Sequence, residues 1–281
     1  MDPISEEEVG FFYCSQFKAG GLAMGKYDSS ITRVSPVFDR LYQMDKAGST
    51  WLPKLLKLPK ISNHPSPQIE DTSPIIEARW GNNEKPLTAP RSLLQWLIQN
   101  FPRPDRLNQK ESETTKKKRQ ALKQKDSKVI QEALQLLEQA DLPERAWYIL
   151  EGPSQPDVYL ETGHMIVVIE GKRTEPIPTT TTKYMPSRHQ MLRHIDCSWE
   201  IRGSKGVYGF FIVEGDGGAD AYDVPERWIE ASNETISEKV LGGSLPHRNR
   251  EEINEMAKSF LGVTTWQAVC KEFGIDWRSL P

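Results

Sequence analysis

The stretch that most constrains this 281-residue chain is Ser154–Glu175, SQPDVYLETGHMIVVIEGKRTE. It holds two runs rich in Val, Ile and Tyr, Asp157–Glu161 and Met165–Lys172, with Gly163 between them. β-Branched and aromatic residues fit a pleated, packed surface, and a glycine between two such runs favours a turn. Side chains alternate faces along a strand. Ile166, Val168, Glu170 and Lys172 therefore share one face of the second run, and Met165, Val167 and Ile169 share the other. Both faces are apolar over Met165–Ile169, so the run reads as a central strand covered on both sides. Yet it ends in a carboxylate and an amine, which are costly to bury unless paired or metal-bound. In an antiparallel hairpin the start of the first strand lies beside the end of the second. Asp157, whose face also carries Tyr159 and Glu161, then meets Glu170 at one end of the sheet, with Lys172 beside them.

Two carboxylates and a lysine so placed suit phosphate chemistry. Carboxylates bind hard divalent cations through oxygen and leave positions for water and phosphate. Such a cation acidifies its water and stabilises charge on the phosphate. A lysine orients the attacking water and offsets developing negative charge. An incidental Glu–Lys pair on a surface hairpin is the structural alternative, and the apolar Met165–Ile169 run argues against it.

The spelling Pro156-Asp157, twelve residues, then Glu170-Gly171-Lys172 resembles the PD-(D/E)XK nuclease superfamily. That resemblance implies a restriction-endonuclease-like α/β core: a helix, three antiparallel strands, a second helix, and a further strand joined in parallel. Elements fitting that order are expected at Val129–Leu142 (helix), Ala146–Glu151, Asp157–Glu161 and Met165–Lys172 (strands), Arg188–Trp199 (helix) and Val207–Val213 (strand). The core then spans 125–215. Residues 1–124 form a mixed N-terminal region ending in a basic linker, and 216–281 a helical region packed on the core.

The function implied is Mg²⁺-dependent hydrolysis of DNA phosphodiester bonds, leaving a 5′ phosphate, with Mn²⁺ able to substitute. Asp157 and Glu170 become metal ligands, joined by the Gly171 carbonyl, and Lys172 activates water. On the following helix Gln190 is expected to position Lys172 or the water. Lys183, Arg188 and Arg193 are candidate phosphate contacts, and His189 and His194 surface or phosphate-contacting residues. Many members carry one more acid on the first helix, for which Glu132 and Glu138 are available. Glu161 lies about 13 Å along an extended strand from Asp157, too far to share its metal. A homodimer or a targeting subunit is compatible with the superfamily's habits.

Other features bear on alternatives. Gly20, Gly21 and Gly25 near Lys18 and Lys26 lack a Walker-type ending and read as a turn. Pro102–Lys128 is biased to positive charge, either a solvated linker or a phosphate-contacting surface. Glu214–Asp220 lacks the distal Glu of an EF-hand and reads as a glycine-rich turn. Helices are expected at Arg248–Leu261 and Trp266–Phe273, the latter faintly resembling a helix-turn-helix. Two further readings stay open: a catalytically silent nucleic-acid-binding module, and a DNA-binding regulator using that tail. Three widely spaced cysteines argue against a disulfide framework. An acidic start, Met1–Gly10, and the lack of a long apolar run point to a cytoplasmic protein without membrane segments. The net charge of −3 confines any nucleic-acid contact to local patches.

Overall fold

The computed structural model describes residues 29–61, 69, 73–101, 111–179 and 182–281. The glycine patch at Gly20–Gly25 lies outside them. A π-helical turn, Ser30–Val34, leads into α1 (Ser35–Met44), and α2 (Leu52–Leu55), β1 (Glu77–Trp80) and α3 (Arg91–Asn100) follow. Next come α4 (Glu113–Lys123), α5 (Ser127–Leu137), β2 (Val158–Glu161) and β3 (Met165–Gly171). The chain continues through α6 (Gln190–Ile201), β4 (Gly206–Val213), α7 (Glu226–Thr235), α8 (Glu238–Ser244) and α9 (Arg250–Ser259). It closes with β5 (Phe260–Thr265) and α10 (Trp266–Glu272). No helix among the described residues is long and apolar enough to cross a membrane.

The five strands form one mixed sheet in chain order, β1 to β5. β1, β2 and β3 run antiparallel, and β4 and β5 continue parallel to β3. The change of direction follows from the connections. β2 and β3 are joined by a tight turn, whereas α6 and then α7–α9 carry the chain back for each parallel strand.

The expected alternation holds. Met165, Val167 and Ile169 face a cluster with Val34, Val37, Phe38 and Leu41 beneath α1 and with Trp266 and Val269 of α10. Ile166, Val168 and Tyr159 face the opposite cluster, under Met191, Leu192 and Ile195 of α6. Every residue of β3 is buried. At roughly 2 kcal/mol for each of five apolar side chains, Met165–Ile169 supply about 10 kcal/mol, enough to hold the charged end of the strand in place.

Three expectations are corrected. Ala146–Glu151 is not a strand; Tyr148 and Leu150 instead pack in a third cluster with Leu93, Leu97 and Leu137. The first strand of the sheet is Glu77–Trp80, and Arg79 stands opposite Tyr159. The helix before the hairpin, α5, packs on α3 rather than on the sheet, and α1 covers the sheet instead. Residues between β1 and β2 thus form an insert carrying α3, α4 and α5.

The tail is no helix-turn-helix. Its expected first helix stops at Ser259, and Phe260–Thr265, all buried, is a sheet strand between the two helices. Gly262 takes φ +98° beside the register shift in the β4–β5 pairing. A Cβ there would sit 2.2 Å from the Lys60 carbonyl oxygen, so only glycine allows that approach. The 125–215 segment therefore supplies three strands, with β1 and β5 coming from the flanking segments.

Candidate active site

The β2–β3 register sets Val158 against Ile169. One step further places Asp157, just before β2, opposite Glu170. The Asp157 Oδ2 accepts a hydrogen bond from the Gly171 N–H at 2.8 Å. Lys172 follows at once; its N–H donates to Ile212 O of β4, and its C=O accepts from Glu214 N just after β4. Successive residues of a strand turn their backbone groups to opposite sides. The Gly171 carbonyl therefore lies on the Asp157 side.

Glu170 is buried and gathers three donors. Its Oε1 accepts from Lys172 Nζ at 3.0 Å and Gln190 Nε2 at 2.6 Å. Its Oε2 lies 3.0 Å from His194 Nε2. An ionised carboxylate only accepts, so the His194 Nε2 carries the proton. The other ring nitrogen, Nδ1, lies 2.7 Å from the Ser154 hydroxyl.

These contacts separate the two carboxyls. Burial raises the Asp157 pKa, and the facing Glu170 charge adds to it, to about 8. Burial also pushes Glu170 up, but His194 and Lys172 outweigh it and hold that carboxyl below the ordinary range. Burial pulls Lys172 down, and Glu170 more than restores it, leaving the ammonium favoured. Near neutrality the pair holds one proton, on the Asp157 side.

Gly171 is fixed by packing. A Cβ there would meet Trp266 Cζ2 at 2.7 Å and Val34 Cγ2 at 2.8 Å. The backbone between the acid and the lysine is thus wedged between α10 and the chain leading into α1. Trp266 Nε1 also donates to the Lys172 carbonyl at 3.2 Å.

Among the described residues, no group of three or more His, Cys, Asp and Glu side chains is arranged to hold a metal ion. A hard cation such as Mg²⁺ needs less: one or two carboxylates, with water and phosphate completing its octahedron. Asp157, held protonated by burial and repulsion, is the kind of ligand a dication would ionise. The Glu170 Oε2 has one hydrogen-bond partner and a second lone pair. The Gln190 Oε1 is a buried acceptor without a partner among the described residues. The donor set fits such an ion.

Gln190 joins the site by a different contact, and the other expected site residues lie elsewhere. Gln190 contacts Glu170 rather than Lys172. Arg188 is not available to a phosphate: its side chain is fully buried, 2.6 Å from Asp196 and 3.2 Å from Glu151. Arg193 donates to the carbonyls of Gly152 and Pro153. Lys183 pairs with Glu111. Glu161 pairs with Lys205 at the far end of β2. Glu132 pairs with Lys118 in the insert, and Glu138 caps the end of α5 there. His189 is buried, and desolvation lowers its pKa to about 4, so it stays neutral near pH 7.

Sequence reasoning missed Ser154 and Glu84, and it expected His194 as a surface or phosphate-contacting residue, whereas His194 is buried against Glu170. Glu84, just after β1, adds its charge to the field on Asp157. A signal for His194 was present, because Gln190 and His194 are four apart on a helix and must share a face.

The class this defines is a mixed α/β protein with a buried carboxylate–lysine cluster at one end of an open sheet. No protein-family model matches the chain, and no curated protein or solved structure matches it either.

Proposed function

We propose that this chain is a Mg²⁺-dependent nuclease that hydrolyses DNA phosphodiester bonds. The observation that carries the reading is the meeting of Asp157, Glu170 and Lys172 where β3 ends, with Asp157 pushed up to about 8. Perturbed carboxyls converging with a lysine at a strand end are candidate sites of chemistry. The order of elements supports it further. α1, β1, β2, β3, α6 and β4 follow the helix–three strands–helix–strand order of the PD-(D/E)XK pattern, with the α3–α5 insert between the first two strands.

In this reading Asp157, Glu170 and the Gly171 carbonyl hold the ion, which when bound acidifies a water and neutralises charge on the phosphate. Lys172, locked on Glu170, orients the attacking water and offsets charge on the pentacoordinate phosphorus. Gln190 and His194 fix the Glu170 carboxylate, and the Gln190 Oε1 accepts from water. Attack in line with the leaving 3′ oxygen gives a 5′ phosphate.

The test is cleavage of supercoiled plasmid, linear duplex and single-stranded DNA with Mg²⁺, Mn²⁺ or chelator, comparing wild type, Lys172→Ala and Asp157→Ala. Metal-dependent cutting by wild type alone is expected. A second reading, a silent DNA-binding module, draws on the three protein donors already occupying Glu170. Tight binding by wild type with no cutting in any metal would favour it.

A further inference from the structure

The basic run in the insert is a sequence motif that the catalytic reading leaves unused. Residues 102–128 hold ten basic and four acidic residues, in a chain whose net charge is −3. Among the described residues, 111–128, the structure sorts the cations into committed and uncommitted sets. Arg119 is buried, paired with Glu111 and bonded to the Trp147 carbonyl at 3.0 Å. Lys116 pairs with Glu113 at 2.8 Å, and Lys118 with Glu132. Lys125 donates to the Gln99 carbonyl. Lys117, Lys123 and Lys128 remain exposed, with no ion pair among the described residues. They lie on the solvent side of α4 and the first turn of α5, while Leu122 and Arg119 anchor the other side. Uncompensated like charges repel and add nothing to packing, and a polyanion compensates them.

The insert is rooted at the carboxylates. Its chain departs past Glu84, whose charge acts on Asp157. Its return is pinned by two 2.7 Å backbone hydrogen bonds between Leu87 and Ser154, three residues before Asp157. Glu111 takes both Arg119 of α4 and Lys183 of the loop that follows Lys172. The Arg119 guanidinium also stands 5.2 Å from the Tyr184 ring.

We propose that Lys117, Lys123 and Lys128 grip the phosphate backbone of DNA and hold it for the carboxylate cluster. The choice of DNA rests on the nuclease reading; the surface itself is read from the unpaired charges. Each phosphate contact releases counterions, so log K falls against log salt by about 0.9 per contact.

The experiment measures binding of a fluorescent duplex in chelator across a salt series, so that no cutting occurs. It compares wild type, the insert variant Lys117→Gln/Lys123→Gln/Lys128→Gln, and a control variant with three exposed lysines changed elsewhere, Lys46→Gln/Lys54→Gln/Lys57→Gln. The insert variant is expected to bind about 10-fold or more weakly near 0.1 M salt, with a slope shallower by about 2 to 3. The control should stay within about twofold of wild type. Equal weakening of both variants would reduce the effect to overall charge and overturn the proposal, as would an unchanged insert variant. Insert-dependent binding to anionic phospholipid vesicles without DNA binding would overturn it too. Loss of binding in the insert variant, with no cutting by wild type, would sustain the surface and defeat the nuclease reading. Cutting by wild type with unchanged binding by the insert variant would do the reverse.

Discussion

Replacing Asp157 by Asn should remove a pH dependence built into the carboxylate pair. The Asn side-chain oxygen keeps the acceptor for the Gly171 N–H, now at 2.8 Å, so the main loss is charge. In the native protein the Asp157 pKa is raised from 3.8 to about 8. The folded state therefore binds more protons than the unfolded chain between those values, and metal-free stability falls as pH rises through that window. At about 1.4 kcal/mol per unit, the three units from pH 5 to pH 8 span about 4 kcal/mol as an upper bound. Coupling to Glu170 and entry of water reduce this, to about 2 kcal/mol. Urea unfolding with EDTA at pH 5, 6, 7 and 8 reads it directly. Wild type should lose about 2 kcal/mol relative to Asp157→Asn across the series, and Mg²⁺ at pH 8 should restore wild type alone. Parallel pH profiles for the two proteins would refute the argument, because Asp157 would then be ionised as freely in the fold as outside it.

Three further outcomes follow from the same geometry. Arg188→Met should cost up to about 3–5 kcal/mol in urea unfolding by removing the guanidinium that buried Asp196 and Glu151 share, which leaves Asp196 to Arg248 and His247 and Glu151 to Arg193, whereas a phosphate contact would have weakened DNA binding at unchanged stability. Gly171→Ala should destabilise by about 1–3 kcal/mol, since its Cβ would overlap Trp266 and Val34; an unchanged denaturation midpoint would show that the wedge yields. His194→Leu removes one donor from Glu170 and should weaken Mg²⁺ affinity about 10- to 100-fold by calorimetry; unchanged affinity would leave His194 a packing residue.

What could be read from the sequence was whatever depends on neighbours in the chain. Alternation along Met165–Lys172 assigned each side chain to its face, and the hairpin fixed Asp157 opposite Glu170, because a turn of known length sets register. α6 and β4 were legible for the same reason, as an apolar seam and an apolar run. Pairing between distant segments was not. Glu77–Trp80 is four residues long and reads EARW, and its alternation, with only Ala78 and Trp80 turned to the core, is too short to mark it. It becomes a strand because β2 offers an edge, while the more apolar Ala146–Glu151 is drawn off to cover α3 and α5.

The tail was misjudged through a related effect. Phe260 and Leu261 follow a capped helix, Asn249 and Glu252 forming its capping box, with no proline to stop it, so the helical pattern reads on to Leu261 and the segment after it as a join. The strand state of Phe260–Thr265 comes from β4, whose open edge needs a partner. Once β5 docks, Trp266 is carried against Gly171, and the indole meets the Lys172 carbonyl. The geometry of the acid–glycine–lysine triplet thus depends on a residue 94 positions away. A short motif can bring residues together, but the shape of their cluster is imposed by segments that local reading assigns to other tasks. Trp266→Ala is the direct check: by releasing the Gly171 wedge it should weaken Mg²⁺ binding while Asp157, Glu170 and Lys172 stay unaltered. Unchanged affinity in a folded variant would mean that the hairpin alone sets the site.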